Sequence, residues 1–161
     1  MQRRELLALF LAGTLASVHA QSIDLVRVLK AERKLQLLSS SVVQKEFKVA
    51  LGGSPVGHKQ IEGDQKTPEG NYVLDYKKSD SAFYKAIHIS YPNAEDTARA
   101  KKQGVSPGGQ IMIHGQKNGL GWLSGVSQSF DWTNGCVALS NADMEEVWKL
   151  VKSGTRIELR P

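Results

Sequence analysis

Short runs in which apolar and polar side chains alternate recur from residue 24 to the end of the chain, and this pattern constrains the fold most strongly. Alternation with a period of two is typical of strands that have one buried face. Strands are predicted at residues 24–30, 34–39, 42–51, 70–76, 85–91, 110–114, 136–139 and 155–159. The first two flank the turn Ala31-Glu32-Arg33, which predicts a hairpin. The fold class is therefore expected to be mainly β with a few helices.

Two helices are predicted between these strands. Residues 94–103 are polar and are followed by Gly104, which predicts an exposed helix that ends there. Residues 143–152 follow Ser140 or Asn141 as the N-cap, and the first turn carries acidic residues. The second helix has an apolar face, which predicts packing against the core. That face is formed by Met144, Val147, Trp148 and Val151.

The first twenty residues have the features of a secretory signal peptide. Arg3 and Arg4 give a positive start, and residues 6–18 form an apolar run too short to span a bilayer comfortably. Val18-His19-Ala20 ends in a small residue, as cleavage sites do. A buried N-terminal helix is the alternative. We therefore expect an exported protein whose single domain occupies residues 21–161, with no stable membrane insertion after cleavage.

Charge and cysteine content narrow the function classes. The formal net charge is +5, and the basic residues are scattered without a basic helix or stripe, so we expect no nucleic-acid partner. A mild positive excess suits an anionic cell envelope. Cys136 is the single cysteine, so no internal disulfide can form. Its thiol is intermolecular, buried and inert, or reactive.

Two motifs carry candidate chemistry. His114 ends an apolar strand and precedes Gly115, while Cys136 follows Gly135. A free thiol, with a pKa of about 8.5, is a few per cent thiolate at neutral pH. A paired imidazole would raise that fraction and protonate a leaving amine. The small Gly135 would give a carbonyl access to sulfur and let backbone N–H groups stabilise an oxyanion. Together these groups indicate acyl transfer.

The residues alone leave other interpretations open. His114 could be a core histidine whose hydrogen bonds are made within the protein, and Cys136 could be a structural cysteine. A zinc site would draw on His58, His88, His114 and Cys136, but no pair has a usual ligand spacing. The segment 104–125 holds seven glycines in 22 residues and is either a substrate rim, with Trp122 near its tip, or a surface loop.

The joint pattern resembles the L,D-transpeptidase (YkuD-type) catalytic domain over about residues 24–161. Ile113-His114-Gly115, the glycine-rich gap and Thr133-Asn134-Gly135-Cys136-Val137 carry the resemblance. Upstream segments that also fit are Gly57-His58-Lys59, Glu62-Gly63-Asp64, Lys66-Thr67-Pro68-Glu69-Gly70-Asn71-Tyr72 and His88-Ile89-Ser90-Tyr91-Pro92.

The resemblance implies a β-sandwich of two packed sheets with the site at one end. It implies Cys136 as the acylated nucleophile and His114 as its base, with the carbonyl of Gly115 orienting the imidazole. Gly135 would supply an oxyanion N–H. No cofactor and no metal are implied.

The resemblance also implies a substrate and a location. The acyl donor would be a peptidoglycan stem peptide, cut between the L-centre of its third residue and the terminal D-alanine. The acceptor would be a side-chain amine of another stem, an amine of a wall-attached protein, or water. The enzyme would act in the periplasm. A hydrolase with the same cysteine and histidine, either an L,D-carboxypeptidase or an amidase, and a non-catalytic peptidoglycan-binding module are the alternatives.

Two positions depart from the common family pattern. Asn134 stands where family members often carry histidine, and Ala138 where they often carry arginine. Together with Asp131-Trp132-Thr133, this is closer to the short periplasmic YafK-like branch. Without that arginine, the substrate carboxylate would be held by Lys59, Lys117 or Arg99, with Lys59 preferred. The other residues expected to bind substrate are Asn134, Thr133, Trp122, Tyr91 and Trp132.

Overall fold

One curled sheet of eight strands carries the fold of residues 22–161, the part of the chain that this computed structural model describes. The strands are β1 (Leu25–Leu29), β2 (Lys34–Ser39), β3 (Val42–Lys48), β4 (Gly70–Lys78), β5 (Ala86–Ile89), β6 (Met112–His114), β7 (Val137–Ala138) and β8 (Thr155–Arg160). Every predicted strand is present, with ends that differ by a few residues. The predicted signal peptide lies outside the described residues.

The strand order is β3-β2-β1-β8-β4-β5-β6-β7. β1 pairs with β2 as the predicted antiparallel hairpin. β1 also pairs in parallel with β8. Because β8 pairs with β4 on its other side, it joins the N-terminal hairpin to the β4–β5–β6 meander. Beyond β3, Ala50 pairs with Ala138 of β7 through backbone bonds of 2.9 and 2.8 Å. This bridge brings the two ends of the sheet together. The mainly β class is confirmed, and the expected two sheets are hydrogen-bonded as one.

Alternate side chains of the strands fill the interior of the curl. Val28, Leu37, Leu74 and Ile157 are fully buried there, from strands on both sides of the β1–β8 junction. The same interior holds Ile113, the residue just before His114. The end of β6 is therefore anchored in the core, which holds the backbone of His114 in place.

Three helices connect the strands. α1 (Ala94–Gln103) has the predicted bounds, with Asn93 as N-cap and Gly104 in the left-handed conformation at φ 69°. A 3-10 turn at Gly121–Leu123 and α2 (Ser124–Ser127) lie in the glycine-rich segment and were not predicted.

α3 (Asn141–Leu150) begins two residues earlier than expected, because the Ser140 hydroxyl accepts the amide of Asp143 at 3.0 Å. The helix ends where Val151 becomes extended, at ψ 130°. Within residues 22–161, no helix combines the length and the apolar character that a membrane span requires.

Candidate active site

The register of β6 and β7 brings His114 and Cys136 to one face of the sheet. The two strands are parallel, with Ile113 opposite Val137 and His114 opposite Ala138. Since side chains alternate along a strand, His114 and Cys136 point to the same side and lie diagonally across the strand pair. The predicted nucleophile and base, 22 positions apart in the sequence, are thus neighbours at the edge of the sheet.

Backbone groups of the segment before His114 surround the thiol. The amide of Met112 donates to the sulfur of Cys136 at 3.4 Å, and the thiol faces the carbonyl oxygen of Gln110 at 3.7 Å. Gln110 has a φ of 56°, which is uncommon for a residue other than glycine. This backbone conformation at Gln110 accompanies the approach of its carbonyl to the sulfur.

The imidazole of His114 is held by a single backbone contact. Its Nδ1 lies 2.6 Å from the carbonyl oxygen of Gly115. A carbonyl can only accept, so Nδ1 carries the proton and Nε2 has its lone pair available. The contact that the family resemblance implied is present, and its part in catalysis stays a prediction. His114 is 2% exposed, so few waters can compete for either nitrogen.

Two aromatic rings enclose the imidazole. The ring of Phe83 lies over His114 with centroids 4.1 Å apart, and Trp132 meets it edge-on at 5.9 Å. Sequence reasoning placed Trp132 near the site but missed Phe83. Phe83 lies in the loop before β5 and is joined to Lys117 by an isolated bridge. No local pattern around Phe83 signals this contact, because it depends on how two distant loops pair.

Burial changes the acid–base properties of His114 and Cys136. Burial lowers the pKa of His114, although the Gly115 carbonyl acts in the opposite direction. Burial raises the pKa of the Cys136 thiol, and the Met112 amide and the charge of Lys59 offset only part of that rise. The raised pKa of the Cys136 thiol favours its neutral form, and an effect of the imidazole on the thiolate fraction stays a prediction. Both shifts favour the neutral forms of the two side chains.

The turn before Cys136 depends on a glycine and on a threonine hydroxyl. Gly135 has a φ of 123°, and a Cβ there would lie 2.6 Å from the carbonyl oxygen of Lys66, so only glycine fits. The amide of Gly135 donates to the Thr133 hydroxyl at 3.1 Å, which in turn donates to the carbonyl of Cys136 at 2.8 Å.

These bonds change the interpretation of two predicted site residues. Thr133 is buried and supports the turn from inside, and its contact with a substrate stays a prediction. The amide of Gly135 is already bonded, so an oxyanion role requires its bond to Thr133 to be exchanged.

A polar cleft of about 440 Å³ lies on one side of this turn. Its walls are formed by Lys59, Glu62, Gly63, Gln65, Gly108, Gly109 and Asn134. Lys59 is 2% exposed, and its ammonium donates to Asp64 at 2.8 Å and to the Ile61 carbonyl at 3.0 Å. Asn134 is exposed at the rim. The structure thus brings the predicted residues Lys59 and Asn134 together, with the lysine already paired.

An apolar cleft of about 280 Å³ lies beside Trp132. It is lined by Gln116, Lys117, Leu120, Leu123, Ser127, Phe130 and Trp132. Because Trp132 also contacts His114, this cleft lies next to the predicted base. Trp122, on the 3-10 turn, is 79% exposed and does not line the cleft, so its contact with a substrate stays a prediction.

Three other candidates lie away from the catalytic pair or inside the protein. Tyr91 is buried, and its hydroxyl donates to the Pro107 carbonyl at 3.0 Å, so it supports a loop, and its contact with a substrate stays a prediction. Arg99 donates to Asp96, beside His58, in a cluster around α1. Lys117 is exposed at the rim of the apolar cleft.

Among residues 22–161, the two other histidines occupy separate places. His58 bonds Asp96 at 2.9 Å, and His88 bonds Asp75 at 2.7 Å. Among residues 22–161, no three His, Cys, Asp or Glu side chains are arranged to hold a metal ion. The zinc interpretation therefore has no support in this part of the chain.

Comparisons with known proteins agree with this geometry. Residues 23–159 match the profile of the YkuD family, described as the L,D-transpeptidase catalytic domain. The chain is 31% identical to YafK of Escherichia coli (strain K12) over 132 residues, which is 78% of this chain and 46% of that protein.

Solved structures show the same fold. The helical cell shape determining protein Pgp2 from Campylobacter jejuni superposes with a TM-score of 0.64 and 28% identity, covering 88% of this chain and 48% of that one. Bd1075 of Bdellovibrio bacteriovorus has a TM-score of 0.60 at 24% identity, covering 89% of this chain and 50% of that one. The chain thus spans about half the length of the relatives it matches.

Proposed function

The chain belongs to the YkuD family of L,D-transpeptidase catalytic domains, and from that premise we propose that it is a cysteine acyltransferase that acts on peptidoglycan stem peptides. The observation that carries the proposal is the placement of His114 and Cys136 on one face of adjacent parallel strands, with Nδ1 of the imidazole held by Gly115. This arrangement leaves Nε2 as the one nitrogen able to exchange a proton with the thiol and with an amine.

Acylation follows from the neutral state of the pair. The sulfur of Cys136 attacks the carbonyl carbon of the third stem residue while its proton moves to Nε2 of His114. The C–N bond to D-alanine then breaks, and Nε2 returns the proton to the departing amine. A thioester on Cys136 results. Since burial disfavours both the thiolate and the imidazolium, proton transfer is coupled to attack instead of preceding it.

Deacylation uses the same groups in reverse order. An acceptor amine or water attacks the thioester carbon and gives a proton to Nε2 of His114. The C–S bond breaks, and the sulfur recovers a proton. The Gly115 carbonyl stabilises the transient imidazolium, as a carboxylate does in a serine-protease triad. An oxyanion donor from the turn at Gly135 would contribute roughly 3–4 kcal/mol to each step.

Hydrolysis is the second candidate, and Ala138 favours it. An arginine at this position could hold a substrate carboxylate through two parallel hydrogen bonds, whereas Ala138 is small and fully buried. Lys59 offers a point charge that Asp64 already neutralises. A loosely held stem hinders alignment with an amine more than attack by water. We therefore expect hydrolysis alongside transfer.

The same proposal covers location and biological role. The N-terminal sequence and the cell-wall substrate support export to the periplasm. The solved relative from Campylobacter jejuni carries helical cell shape determination in its name. We propose a role in wall remodelling for this chain as well, with stem peptides as partners and a wall-attached protein as a further acceptor or product.

Incubation of the purified protein with defined muropeptides, followed by mass spectrometry of the products, tests the proposal. We expect release of D-alanine, with cross-linked and hydrolysed products in one reaction, and no product from Cys136→Ser. Turnover by that variant would overturn the cysteine mechanism. If the wild-type protein makes only cross-links, the argument from Ala138 is wrong.

A further inference from the structure

The side chain of Arg33, in the turn between β1 and β2, reaches the segment that leads to Cys136. Its Nε donates to both oxygens of Asp131, at 3.1 and 3.0 Å, and its Nη2 donates to Oδ2 at 2.7 Å. We propose that Arg33 is a positioning residue for acyl transfer, because it fixes, through Asp131, the turn that carries Cys136 and the ring of Trp132 beside His114. The inference rests on the proposed function.

The carboxylate of Asp131 completes a short parallel ladder. The amide of Thr133 donates to the Leu51 carbonyl at 3.1 Å, and the Thr133 carbonyl accepts the amide of Gly53 at 3.0 Å. In a regular parallel ladder, the amide of Leu51 would next donate to the backbone carbonyl of residue 131. Here it donates instead to Oδ1 of Asp131 at 2.9 Å. Because Arg33 orients this carboxylate, loss of Arg33 should loosen that end of the ladder.

The ladder lies directly against the turn before Cys136. A Cβ on Gly52 would lie 3.0 Å from the Cα of Gly135, so the two backbones are in contact. After the turn, Ala138 exchanges backbone bonds of 2.9 and 2.8 Å with Ala50. The segment 50–53 therefore holds the chain on both sides of Cys136. The pair of Arg33 and Asp131 determines where the chain enters the turn.

The two residues after Asp131 transmit its position to the proposed base and nucleophile. The ring of Trp132 meets His114 edge-on with centroids 5.9 Å apart, and the hydroxyl of Thr133 donates to the Cys136 carbonyl at 2.8 Å. A shift of this segment would move both contacts at once, and misplacement of reacting groups by about 1 Å can slow a reaction roughly a hundredfold. Neither Arg33 nor Asp131 lines the polar or the apolar cleft, so affinity for a substrate should change little.

The backbone of Arg33 is preorganised for this contact. Its φ is 54°, which is uncommon for a residue other than glycine. Its amide donates to the Lys30 carbonyl at 3.2 Å, its carbonyl accepts the amide of Val49 at 2.9 Å, and its Nη1 also donates to the Lys30 carbonyl. A lysine at this position would keep the charge but could not make parallel bonds to the two oxygens of a carboxylate. We therefore expect the geometry of the side chain to matter as well as its charge.

Turnover of stem peptides by variants of the pair tests the inference. In Arg33→Gln and Asp131→Asn, kcat should fall at least about tenfold while KM stays within about twofold of the wild-type value. Arg33→Lys should lose less, and it serves as the test if Arg33→Gln does not fold. The double variant should lose no more than the more damaging single variant, because both changes act through one pair. Losses that multiply in the double variant, or a rise in KM with unchanged kcat, would overturn the inference.

Arg27 provides a matched control on the same hairpin. Its Nε lies 3.0 Å from Glu158 of β8, and the two side chains are 23% and 25% exposed, compared with 35% and 15% for Arg33 and Asp131. Arg27→Gln should therefore lower the melting temperature about as much as Arg33→Gln does, because each loses one partly buried ion pair. Its kcat should stay at the wild-type value. An equal loss of kcat in the two variants would contradict the positioning role.

The ring-proton resonances of His114 separate this inference from the proposed function, because they respond to the ring of Trp132 without any substrate. They should shift in Arg33→Gln and in Asp131→Asn, and they should stay in place in Arg27→Gln. If the wild-type protein does not turn over stem peptides but these shifts appear, the acyl-transfer proposal fails and the positioning of His114 by Arg33 stands. If the wild-type protein turns over and Arg33→Gln changes neither kcat nor these resonances, the positioning inference fails.

Discussion

The polar and the apolar cleft adjoin the same turn before Cys136 but are built in different ways. Asn134 lines the first and Trp132 the second, two residues apart in the segment that leads to Cys136. The polar cleft has a buried ion pair at its base, between Lys59 and Asp64. The apolar cleft is lined by a segment whose large side chains are partly exposed, among them Phe130 at 56%.

The hydrogen bonds of Asp64 make the polar cleft the more preorganised of the two. Its carboxylate accepts the amides of Gln60, Ile61 and Lys66 as well as the ammonium of Lys59. Burial alone would raise the pKa of Asp64, but these bonds outweigh it and the pKa is lowered. The carboxylate therefore stays ionised at neutral pH. We infer that the polar cleft fixes one reactant, while the apolar cleft can adapt to several.

The proposed base, which acts whichever cleft holds a reactant, should show the largest effect. His114→Ala removes the group that exchanges protons in acylation and in transfer, so we expect both rates to fall at least about a hundredfold. His88→Ala should lose far less activity, because His88 forms a hydrogen bond with Asp75 on another part of the sheet. Steady-state kinetics of the two variants measures both losses in rate. A larger loss in His88→Ala would mean that the base is wrongly assigned.

Phe83→Ala should have the next largest effect, because the ring of Phe83 lies over the imidazole of the proposed base. Opening this side lets water reach His114, and we expect about a tenfold loss in rate. It also relieves the burial that lowers the pKa of His114. That pKa should rise, and the acidic limb of the kcat/KM profile should move to higher pH.

Phe83→Leu is the matched variant, since it keeps an apolar cover over the ring. Its acidic limb should stay close to that of the wild-type protein. If both variants lose stability equally and neither moves the pH profile, Phe83 is a packing residue without influence on the base.

Lys59→Gln affects only the polar cleft and should lower the rate several-fold. The amide can still bond Asp64, but the positive charge that helps to lower the pKa of the Cys136 thiol is gone. That pKa should rise further, so alkylation of Cys136 should become slower at neutral pH and its rate profile should shift upward in pH. KM for the donor should rise as well. Lys152→Ala, at an exposed lysine, should leave both quantities unchanged.

Trp122→Ala changes only the segment that carries the apolar cleft and should have the smallest effect on the kinetics. The side chain is 79% exposed and contributes little burial, so the melting temperature should change little. If the ring contacts substrate, KM should rise a few-fold. A lower melting temperature with unchanged kinetics would show instead that Trp122 pins its loop.

Much of this architecture could be predicted from the sequence because it depends on local patterns. Alternating residues predict the strands, and Gly104 marks the end of α1. The motifs around His114 and Cys136 point to the site through their resemblance to a family. Each of these signals lies within a few neighbouring residues, where backbone conformation is decided.

The features that the sequence did not predict depend on long-range packing. Phe83 reaches His114 through pairing with the loop after β6, and Thr133 and Tyr91 turn inward although both carry hydroxyls suited to a substrate. The lowered pKa of His114 follows from enclosure by rings distant in sequence. α2 spans only four residues, too few for a periodic pattern.

The most direct test of the central claim is the intact mass of the protein during turnover. With a stem peptide, or with a carbapenem that acylates the family thiol, we expect a single adduct that maps to Cys136. The adduct should be absent in Cys136→Ala and should form at least about a hundredfold more slowly in His114→Ala. An adduct on any other residue, or turnover by Cys136→Ala, would contradict the account.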